Sequence, residues 1–442
     1  MNIDARSYEE LKRYYNEELN VSLRNSGGIN DVPTPIGCIE EILMHVPTKL
    51  WANPTTTVFD PCCGNGNWHL VAWHLIRQYC IKNDNSSITS RFTFNDVDQK
   101  RLECVASIFS THQRIMCSDF LAATDKQHQK QYDIVMANPP YARIMEDGKR
   151  SAKNHNLIGS FIETSLRHVK QNGYMIFLVP DSWMSLSNRN SRFVDLLTTE
   201  CKLLRLNIHH ARKWFPKVGS TFTWFIAHKT NDATKSTTMC VRGIHSGFEF
   251  ADDIVQAPSN MPRTYLPLVM TTESLSIISK TLDMEGLPRY KIETSSDLHK
   301  HSKRDILTDQ MDIHHPYRIL HTLKKEIYST RPHKHQEGYK VFITLTNNYT
   351  TLVDNCGMTQ SVAYVRCKDA EEAQKIKKIF DHDLYVFLNN ICRWGNFNNI
   401  KIIQKFPIPS DEKNVYQSFK IEESEKEFIS RFLSARTSKS DK

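Results

Sequence analysis

The stretch Asp133-Ile-Val-Met-Ala-Asn138-Pro139-Pro140-Tyr141 decides the fold that this sequence predicts. The apolar, partly β-branched run from Ile134 to Met136 predicts a short buried parallel strand. Two prolines end that strand, because proline fixes φ and removes a backbone donor. In open α/β sheets, ligands bind at the carboxyl ends of the strands. An amide oxygen, a carbonyl fixed by proline and an aromatic ring at that end suit a planar group with an exocyclic NH2.

The composition is that of a globular chain without a membrane segment. The 442 residues are enough for two or three domains, and 40% hydrophobic with 24% charged residues is ordinary. The net charge of +8 is compatible with binding to nucleic acid without requiring it. Residues 1–18 are polar and predict no signal peptide, and the apolar runs are too short to span a bilayer.

The cysteines and histidines predict neither disulfides nor a metal site. The eleven cysteines contain no CxxC pair, so we expect reduced thiols in a cytoplasmic protein. The histidines between residues 299 and 335 match no ligand spacing, and we expect them in solvated loops.

A glycine-rich segment predicts the first strand–loop–helix unit of a Rossmann-like sheet. It reads Val58-Phe-Asp60-Pro61-Cys62-Cys63-Gly64-Asn65-Gly66-Asn67 and precedes a helix predicted from Trp68 to Cys80. Glycines let the backbone approach a ligand closely, and the Asp60 carboxylate suits an ammonium group. The pattern departs from the dinucleotide fingerprint G-x-G-x-x-G, which disfavours NAD.

The next predicted strand, from Arg91 to Asn95, ends at another acid. Asp96 is placed to accept hydrogen bonds from both hydroxyls of a ribose, and Asp98 lies further into the loop. Upstream, the spacing of Ile36, Ile39, Ile42, Leu43 and Val46 predicts a helix that Thr34 caps and whose first turn holds Pro35.

Several of these segments resemble motifs of the S-adenosylmethionine-dependent amino-methyltransferases. Asn138-Pro139-Pro140-Tyr141 resembles motif IV, the Asp60–Asn67 segment motif I and Thr34-Pro35 motif X. Ile115-Met-Cys-Ser-Asp119-Phe120 resembles motif III, and Trp214-Phe215-Pro216 resembles the turn of motif VIII. Members of this group methylate adenine N6 or cytosine N4 in DNA, guanine N2 in RNA, or protein glutamine.

The resemblance implies S-adenosylmethionine as cofactor and a role for each matched residue. Asp119 would accept from the amino group of the cofactor adenine, and Phe120 would pack on that ring. Phe215, with Trp214 as the spare, would pack on the outer face of the target base; core packing of both is the alternative. The implied cofactor-binding residues are Thr34, Pro35, Asp60, Pro61, Cys62, Gly64, Gly66, Asn67, Asp96, Asp119, Phe120 and Asn138. The implied catalytic residues are Asn138, Pro139, Pro140, Tyr141 and Phe215.

The order of the motifs resembles the gamma group of DNA adenine methyltransferases found in restriction-modification systems. It implies an N-terminal helical arm (1–30), a Rossmann-like class I methyltransferase domain (31–230) and a C-terminal mixed α+β target-recognition domain (231–442). Within the catalytic domain we expect a helix from Ile158 to Lys170, ended by Gly173, and a final antiparallel pair of strands, Leu203–Ile208 and Thr221–His228. Scattered basic residues of the C-terminal part would neutralise phosphates.

The predicted reaction is methyl transfer from S-adenosylmethionine to N6 of a flipped-out adenine in duplex DNA. Cytosine-N4, RNA and protein-glutamine methylation stay open as alternatives, as does a catalytically idle DNA-binding subunit. We expect a monomer without a fused nuclease, because no PD-(D/E)xK cluster is found. A separate restriction endonuclease stays open as a partner.

Overall fold

The structure is a computed structural model in which the chain divides into two compact units. It describes residues 2–3, 5–20, 32–80, 85–110, 114–122, 131–142, 157–216, 218–231, 237–257, 264–346 and 348–440. The first unit comprises Met1–Trp183, Arg192–Arg242 and Gln256–Pro258, and the second comprises Met184–Ser191, Gly243–Val255 and Ser259–Lys442. Residues 232–236, beside the predicted domain boundary, lie outside the described part.

The first unit is built on a sheet in which seven successive strands follow the order β3-β2-β1-β4-β5-β7-β6. The five strands from β3 to β5 are parallel, whereas β7 runs antiparallel to both β5 and β6. This arrangement confirms the predicted Rossmann-like sheet with its final antiparallel pair. The strands are β1 (Val58–Asp60), β2 (Phe92–Asp96), β3 (Ile115–Cys117), β4 (Tyr132–Ala137), β5 (Val169–Pro180), β6 (Cys201–Ile208) and β7 (Phe222–Lys229).

Amphipathic helices supply the other layers of the first unit. They bury their apolar faces against the sheet in one large core, which includes the β-sheet residues Ile134 and Ile176 and the helical residues Trp73 and Leu102. None of the helices described in either unit is long and apolar enough to cross a membrane. The helices are α1 (Tyr8–Tyr14), α2 (Ile36–Leu43), α3 (Thr48–Ala52), α4 (Asn67–Tyr79), α5 (Asn85–Thr89), α6 (Gln99–Phe109), α7 (Ile158–His168) and α8 (Asn190–Glu200, whose first two residues belong to the second unit).

Gly173 lies inside strand β5 and does not end a helix, so that prediction is wrong. Helix α7 stops at His168 and β5 begins at the next residue. A Cβ atom on Gly173 would lie 2.9 Å from the Lys170 carbonyl oxygen and 3.0 Å from that of Asp133. The glycine is therefore required by a close approach of two backbones, at a point where the β4–β5 register shifts.

The described part of the N-terminal arm, which was expected to be helical over residues 1–30, is helical from Tyr8 to Leu19. Helix α1 is capped by a reciprocal pair of hydrogen bonds between Ser7 and Glu10 and continues into a π-helical turn, Tyr15–Leu19. Residues 21–31 lie outside the described part of the chain.

The second unit is a mixed α+β assembly around two four-stranded sheets. Residues Gly243–Val255 of the second unit include the end of β8 (Thr237–His245) and most of β9 (Phe248–Ala257). One sheet has the order β10-β17-β14-β15 and the other β11-β13-β12-β16, and a shared core that includes Leu320, Phe342 and Tyr364 lies between them. The strands are β10 (Glu293–Thr294), β11 (Leu307–Thr308), β12 (Tyr317–Thr322), β13 (Lys325–Ser329), β14 (Lys340–Thr344), β15 (Thr351–Asp354), β16 (Gly357–Met358) and β17 (Val362–Arg366). The helices are α9 (Thr272–Lys280), α10 (Ala370–Phe380), α11 (Asp383–Ile391), α12 (Ile400–Ile403), α13 (Val415–Ser418) and α14 (Glu423–Ser440).

Candidate functional site

An open cleft in the first unit brings three predicted segments together. The segment before α2, the glycine-rich loop between β1 and α4, and the residue that follows β4 all reach it. The lining residues are Val32, Pro33, Thr34, Cys62, Cys63, Gly64, Asn65, Asn67, Trp68, Arg101 and Asn138. A sheet of this kind places its ligand site at the carboxyl ends of its central strands, which is where this cleft lies.

The glycine-rich loop owes its shape to two left-handed glycines. Gly64 has a φ of 54° and Gly66 a φ of 82°, conformations that residues with a side chain rarely adopt. A Cβ atom on Gly66 would lie 2.8 Å from the Phe109 ring, whereas one on Gly64 would meet nothing within 4 Å. Gly66 therefore allows the loop to pack on helix α6, and Gly64 leaves space beside the cleft.

Asp60 is a buried acid at the end of β1, beside this loop. Its Oδ1 atom accepts a hydrogen bond from the Cys62 backbone N–H at 3.0 Å, and its side chain is almost completely buried. Its Oδ2 atom, also buried, has no hydrogen-bond partner in the described structure. Burial raises the pKa of Asp60 to about 8. A buried acceptor in this condition suits a cationic donor such as an ammonium group.

Asp96 is held by backbone donors, whereas Asp98 caps a helix. The Asp96 carboxylate accepts from the Gly64 N–H at 2.8 Å and from the Asp98 N–H at 3.0 Å. Burial raises the pKa of Asp96, and these two hydrogen bonds oppose that shift. Asp98 accepts from the Lys100 N–H at 2.9 Å as the N-cap of α6. Asp98 therefore already has a structural role, and Asp96 stays the better candidate for a ribose.

The two residues of the third motif differ in exposure. Asp119 is exposed, and its Oδ1 atom accepts from the Leu121 N–H at 3.0 Å. Phe120 is buried, with ring centroids 5.8 Å from Phe59 and 5.7 Å from Phe161. Its ring thus contributes to the core beneath the carboxyl end of the sheet.

Asn138 is fixed at both ends of its amide group. Its Nδ2 atom donates to the Thr34 hydroxyl at 2.9 Å, and its Oδ1 atom accepts from the Tyr141 hydroxyl at 2.7 Å. The prediction that Thr34 caps helix α2 is wrong: Pro35 is the N-cap residue, with no side-chain hydrogen bond. The Thr34 carbonyl also accepts from the Asn67 Nδ2 atom at 2.8 Å. Thr34 therefore links Asn67 of the glycine-rich segment to Asn138, which follows β4.

The prolines and the aromatic turn complete the surroundings of Asn138. Pro139 is buried and Pro140 exposed. Phe215 is buried, with its ring centroid 4.7 Å from that of Phe222, which is 6.0 Å from that of Tyr141. The three rings form one continuous aromatic row.

Trp214 is anchored to helix α2. Its indole N–H donates to Glu41 at 2.9 Å, and its ring lies against Gly37, where a Cβ atom would come within 2.5 Å of it. Gly37 therefore lets Trp214 lie close to the backbone of the helix that follows Thr34, which fixes the turn carrying Phe215.

Two residues that hold the cleft in shape were missed by sequence reasoning. Asn95 in β2 is buried, and its Nδ2 atom donates to the Pro61 carbonyl at 2.8 Å and to the Ser118 carbonyl at 3.1 Å. It thus ties together the loops that follow β1 and β3. Tyr15 of the N-terminal arm donates from its hydroxyl to the Asn65 carbonyl at 2.8 Å. A polar residue inside a predicted buried strand could have flagged Asn95, but nothing in the sequence points to Tyr15.

Comparison with known proteins identifies one segment of the chain, which includes Asp96 and Asn138 and begins just after the glycine-rich loop. Its sequence matches the family model described as Eco57I restriction-modification methylase. The match covers residues 68–215, which are 148 of the 442 residues of the chain. Relatives include the type II methyltransferase M.VspI of Vibrio sp. (strain 343), 24% identical over 195 residues. The EcoEI type I methylase subunit of Escherichia coli is 20% identical over 199 residues.

The matches to these two relatives are partial. The matches cover 41% and 42% of this chain and 44% and 40% of the two relatives, so the chain spans less than half the length of each. Over a longer range, the fold resembles the type IIL restriction-modification enzyme MmeI, solved in complex with DNA. The TM-score is 0.55 at 11% identity, covering 95% of this chain and 74% of MmeI.

The sheet of the first unit has the Rossmann-like arrangement predicted for a class I methyltransferase, and this fold together with the family match implies S-adenosylmethionine as cofactor. The residues present fit this cofactor. The unpartnered Oδ2 atom of Asp60 suits its ammonium group, and the space beside Gly64 suits close backbone contact. Asp96 at the end of β2 suits the ribose hydroxyls.

Proposed function

We propose that this chain transfers the methyl group of S-adenosylmethionine to N6 of an adenine flipped out of duplex DNA. The observation that carries the proposal is that Asn138 and the glycine-rich loop line the same cleft. An acceptor for an exocyclic amine thus shares one cavity with the residues that suit the methyl donor. When bound, the cofactor supplies an electrophilic methyl group on a sulfonium ion.

Asn138 would activate the target amine by accepting one of its N–H groups. The nitrogen is a poor nucleophile because its lone pair is delocalised into the purine ring. The Asn138 side-chain oxygen and the Pro139 carbonyl can each accept one N–H, which frees the lone pair and opposes the developing positive charge. The amide oxygen has two lone pairs, so the bond from Tyr141 leaves room for a second donor.

Thr34 and Tyr141 would keep the Asn138 amide in the orientation this step needs. Thr34 accepts from the NH2 side and Tyr141 donates to the oxygen side, so the two hydrogen bonds together restrain the plane of the amide. A group held in this way needs no reorganisation when charge develops, which is the main source of electrostatic catalysis.

The aromatic row would receive the extruded base. A duplex buries the target nitrogen, so the base has to leave the stack. Stacking on an aromatic ring returns ~1–3 kcal/mol per base. Tyr141, which is partly exposed, would provide that face, and the buried Phe215 would support the pocket through Phe222.

The second unit would bind the DNA as a target-recognition domain. Burial lowers the pKa of His321, and the nearby charges of Lys300 and Lys325 lower it further. Asp309 accompanies this cluster and pairs with Lys325 at 3.2 Å. A local excess of cations on an exposed surface suits the phosphates of a duplex.

A methylation assay on three substrates tests the proposal. Purified chain is incubated with methyl-tritiated S-adenosylmethionine and duplex DNA, RNA or protein, and the DNA is then digested to nucleosides for mass spectrometry. We expect N6-methyladenine from duplex DNA and no transfer to the other two substrates. Transfer to RNA or protein alone would overturn the DNA assignment, and N4-methylcytosine would overturn the choice of base.

A further inference from the structure

The N-terminal arm makes a buried polar contact with the cofactor loop. Tyr15 is completely buried, and its hydroxyl donates to the Asn65 carbonyl at 2.8 Å, across 50 residues of sequence. Asn65 lines the cleft and is itself almost fully buried. This hydrogen bond therefore joins the arm to a residue that lines the cleft.

We propose that Tyr15 is a positioning residue for cofactor binding and that the N-terminal arm, of which residues 2–3 and 5–20 are described, is part of the cofactor site. A bond to the Asn65 carbonyl fixes the peptide plane between Asn65 and Gly66. The N–H of that plane donates to the Cys63 carbonyl at 2.9 Å. Tyr15 therefore holds the loop at the point where its left-handed turn meets the first residue of helix α4.

Two other hydrogen bonds restrain the loop in addition to the one from Tyr15. The Cys63 N–H donates to the Asn95 carbonyl at 2.8 Å, and the Gly64 N–H donates to Asp96 at 2.8 Å. Both of these contacts restrain the first half of the loop. The Tyr15 hydroxyl restrains its second half, next to Asn67, whose side chain reaches the Thr34 carbonyl.

The arm is built as a rigid support for this contact. The Tyr8 ring stacks on His74 of α4, with centroids 3.8 Å apart and planes 11° from parallel. Lys12 pairs with Glu40 of α2 at 2.7 Å, and the Ile3 N–H donates to the Ile108 carbonyl at 2.8 Å. The arm thus contacts the three helices that flank the cofactor loop. Tyr15 begins a π-helical turn, a feature that often marks functional positions.

Two matched variants test the proposal, which rests on the proposed function only through the identity of the cofactor. Tyr15→Phe removes the hydroxyl that reaches Asn65. Tyr8→Phe removes a buried hydroxyl of the same arm, which donates to Glu40 at 2.7 Å and does not contact the loop. Each change deletes one hydrogen bond and keeps the ring, so their effects on thermal stability should be similar.

Isothermal titration calorimetry with S-adenosylmethionine separates positioning from stability. We expect Tyr15→Phe to raise the cofactor Kd roughly three- to ten-fold, the range that follows from losing one hydrogen bond to a buried carbonyl. Tyr8→Phe should stay within about two-fold of wild type. Equal Kd values for the two variants would overturn the proposal. A wild-type chain that does not bind the cofactor would overturn the proposed function together with it.

Hydrogen exchange on the wild-type chain keeps the proposal testable even where Tyr15→Phe does not fold. Saturating S-adenosylmethionine should slow amide exchange in residues 8–19, because ordering the loop would order the arm that is bonded to it. Tyr8→Phe should retain this protection and a folded Tyr15→Phe should lose it. Unchanged exchange of residues 8–19 in the cofactor-bound wild-type chain would overturn the proposal.

Discussion

The Asn138 amide nitrogen donates a hydrogen bond to the Thr34 hydroxyl across 2.9 Å, although 104 residues separate the two. This bond joins the segment before helix α2 to the proline-ended strand β4. It makes Thr34 part of the proposed catalytic centre, where it would orient Asn138.

Thr34 substitutions test whether that orientation matters for turnover. Thr34→Ala removes the acceptor of the Asn138 amide, and we expect kcat for DNA methylation to fall roughly two- to ten-fold, the worth of one hydrogen bond. Thr34→Ser keeps the hydroxyl and should retain most of the activity. Equal decreases of kcat in both variants would show that packing, and not the hydroxyl, is what matters.

Tyr141 has a ring and a hydroxyl that the structure gives different partners. Tyr141→Phe removes only the bond to Asn138, so we expect kcat to fall by a few-fold. Tyr141→Ala also removes the stacking face, and capture of the base should weaken by a further ~1–3 kcal/mol. Fluorescence of 2-aminopurine at the target position measures base extrusion, and equal extrusion by both variants would contradict the stacking role.

The raised pKa of Asp60 predicts that cofactor binding releases a proton. Its folded pKa of about 8 lies above its ordinary value of 3.8, so the free protein holds this proton at neutral pH. The same shift means that Asp60 contributes stability at low pH that disappears as the pH rises through about 8. An ammonium group beside Asp60 would favour the carboxylate form and expel the proton.

Calorimetry at pH 7 in buffers of different ionisation enthalpy measures that release. We expect roughly one proton per cofactor bound by the wild-type chain, declining as the pH is raised above 8. Asp60→Asn has no proton to release and should also bind more weakly. If Asp60→Asn released as many protons as the wild-type chain, Asp60 would not be the residue that binds the ammonium group.

Gly37 predicts a strong effect of a single methyl group on the turn that carries Phe215. In Gly37→Ala the new Cβ would come within 2.5 Å of the Trp214 ring, so Trp214 has to move. We expect stability to fall by about 1–3 kcal/mol and methylation to decrease. Gly219→Ala, in the turn that carries Phe215, is the control, because a Cβ atom at that position would meet nothing within 4 Å. Similar melting temperatures and activities for the two variants would show that the close packing of Trp214 on Gly37 does not matter.

The cluster around His321 predicts where DNA affinity depends on charge. Replacing Lys300 and Lys325 by Ala should weaken DNA binding at low salt. It should also reduce the slope of log K against log salt concentration by about 0.9 for each phosphate that these lysines neutralise. Replacing the exposed Lys375 and Lys378 of helix α10 removes the same charge elsewhere in the second unit. Equal salt slopes for the two double variants would exclude the His321 cluster from the DNA surface.

The central part of the fold was predictable because β1 and β2 each end in an acid and an asparagine follows β4. The buried runs of β1, β2 and β4 and the residues Asp60, Asp96 and Asn138 indicated a parallel sheet with a ligand site at its carboxyl edge. The glycines of the loop were predictable too, since their positive φ angles require the absence of a side chain.

Contacts between distant segments could not be predicted from local patterns. Thr34 looked like a helix cap because Thr before a Pro-led helix usually is one, but Asn138 competes for its hydroxyl. Gly173 looked like a helix end, although the close approach of the Asp133 backbone is what requires it. Tyr15 carried no signal at all, because its importance lies in Asn65, 50 residues away.

The proposed reaction depends on the proline-ended strand, which would present Asn138 to a nucleobase amine beside the methyl donor. Mass spectrometry of nucleosides from duplex DNA treated with the wild-type chain or with Asn138→Ala tests this directly. We predict N6-methyladenine with wild type and a decrease of at least ~100-fold with the variant, which still binds S-adenosylmethionine normally. Undiminished N6-methyladenine from Asn138→Ala, or failure of that variant to bind the cofactor, would contradict the assigned role of Asn138.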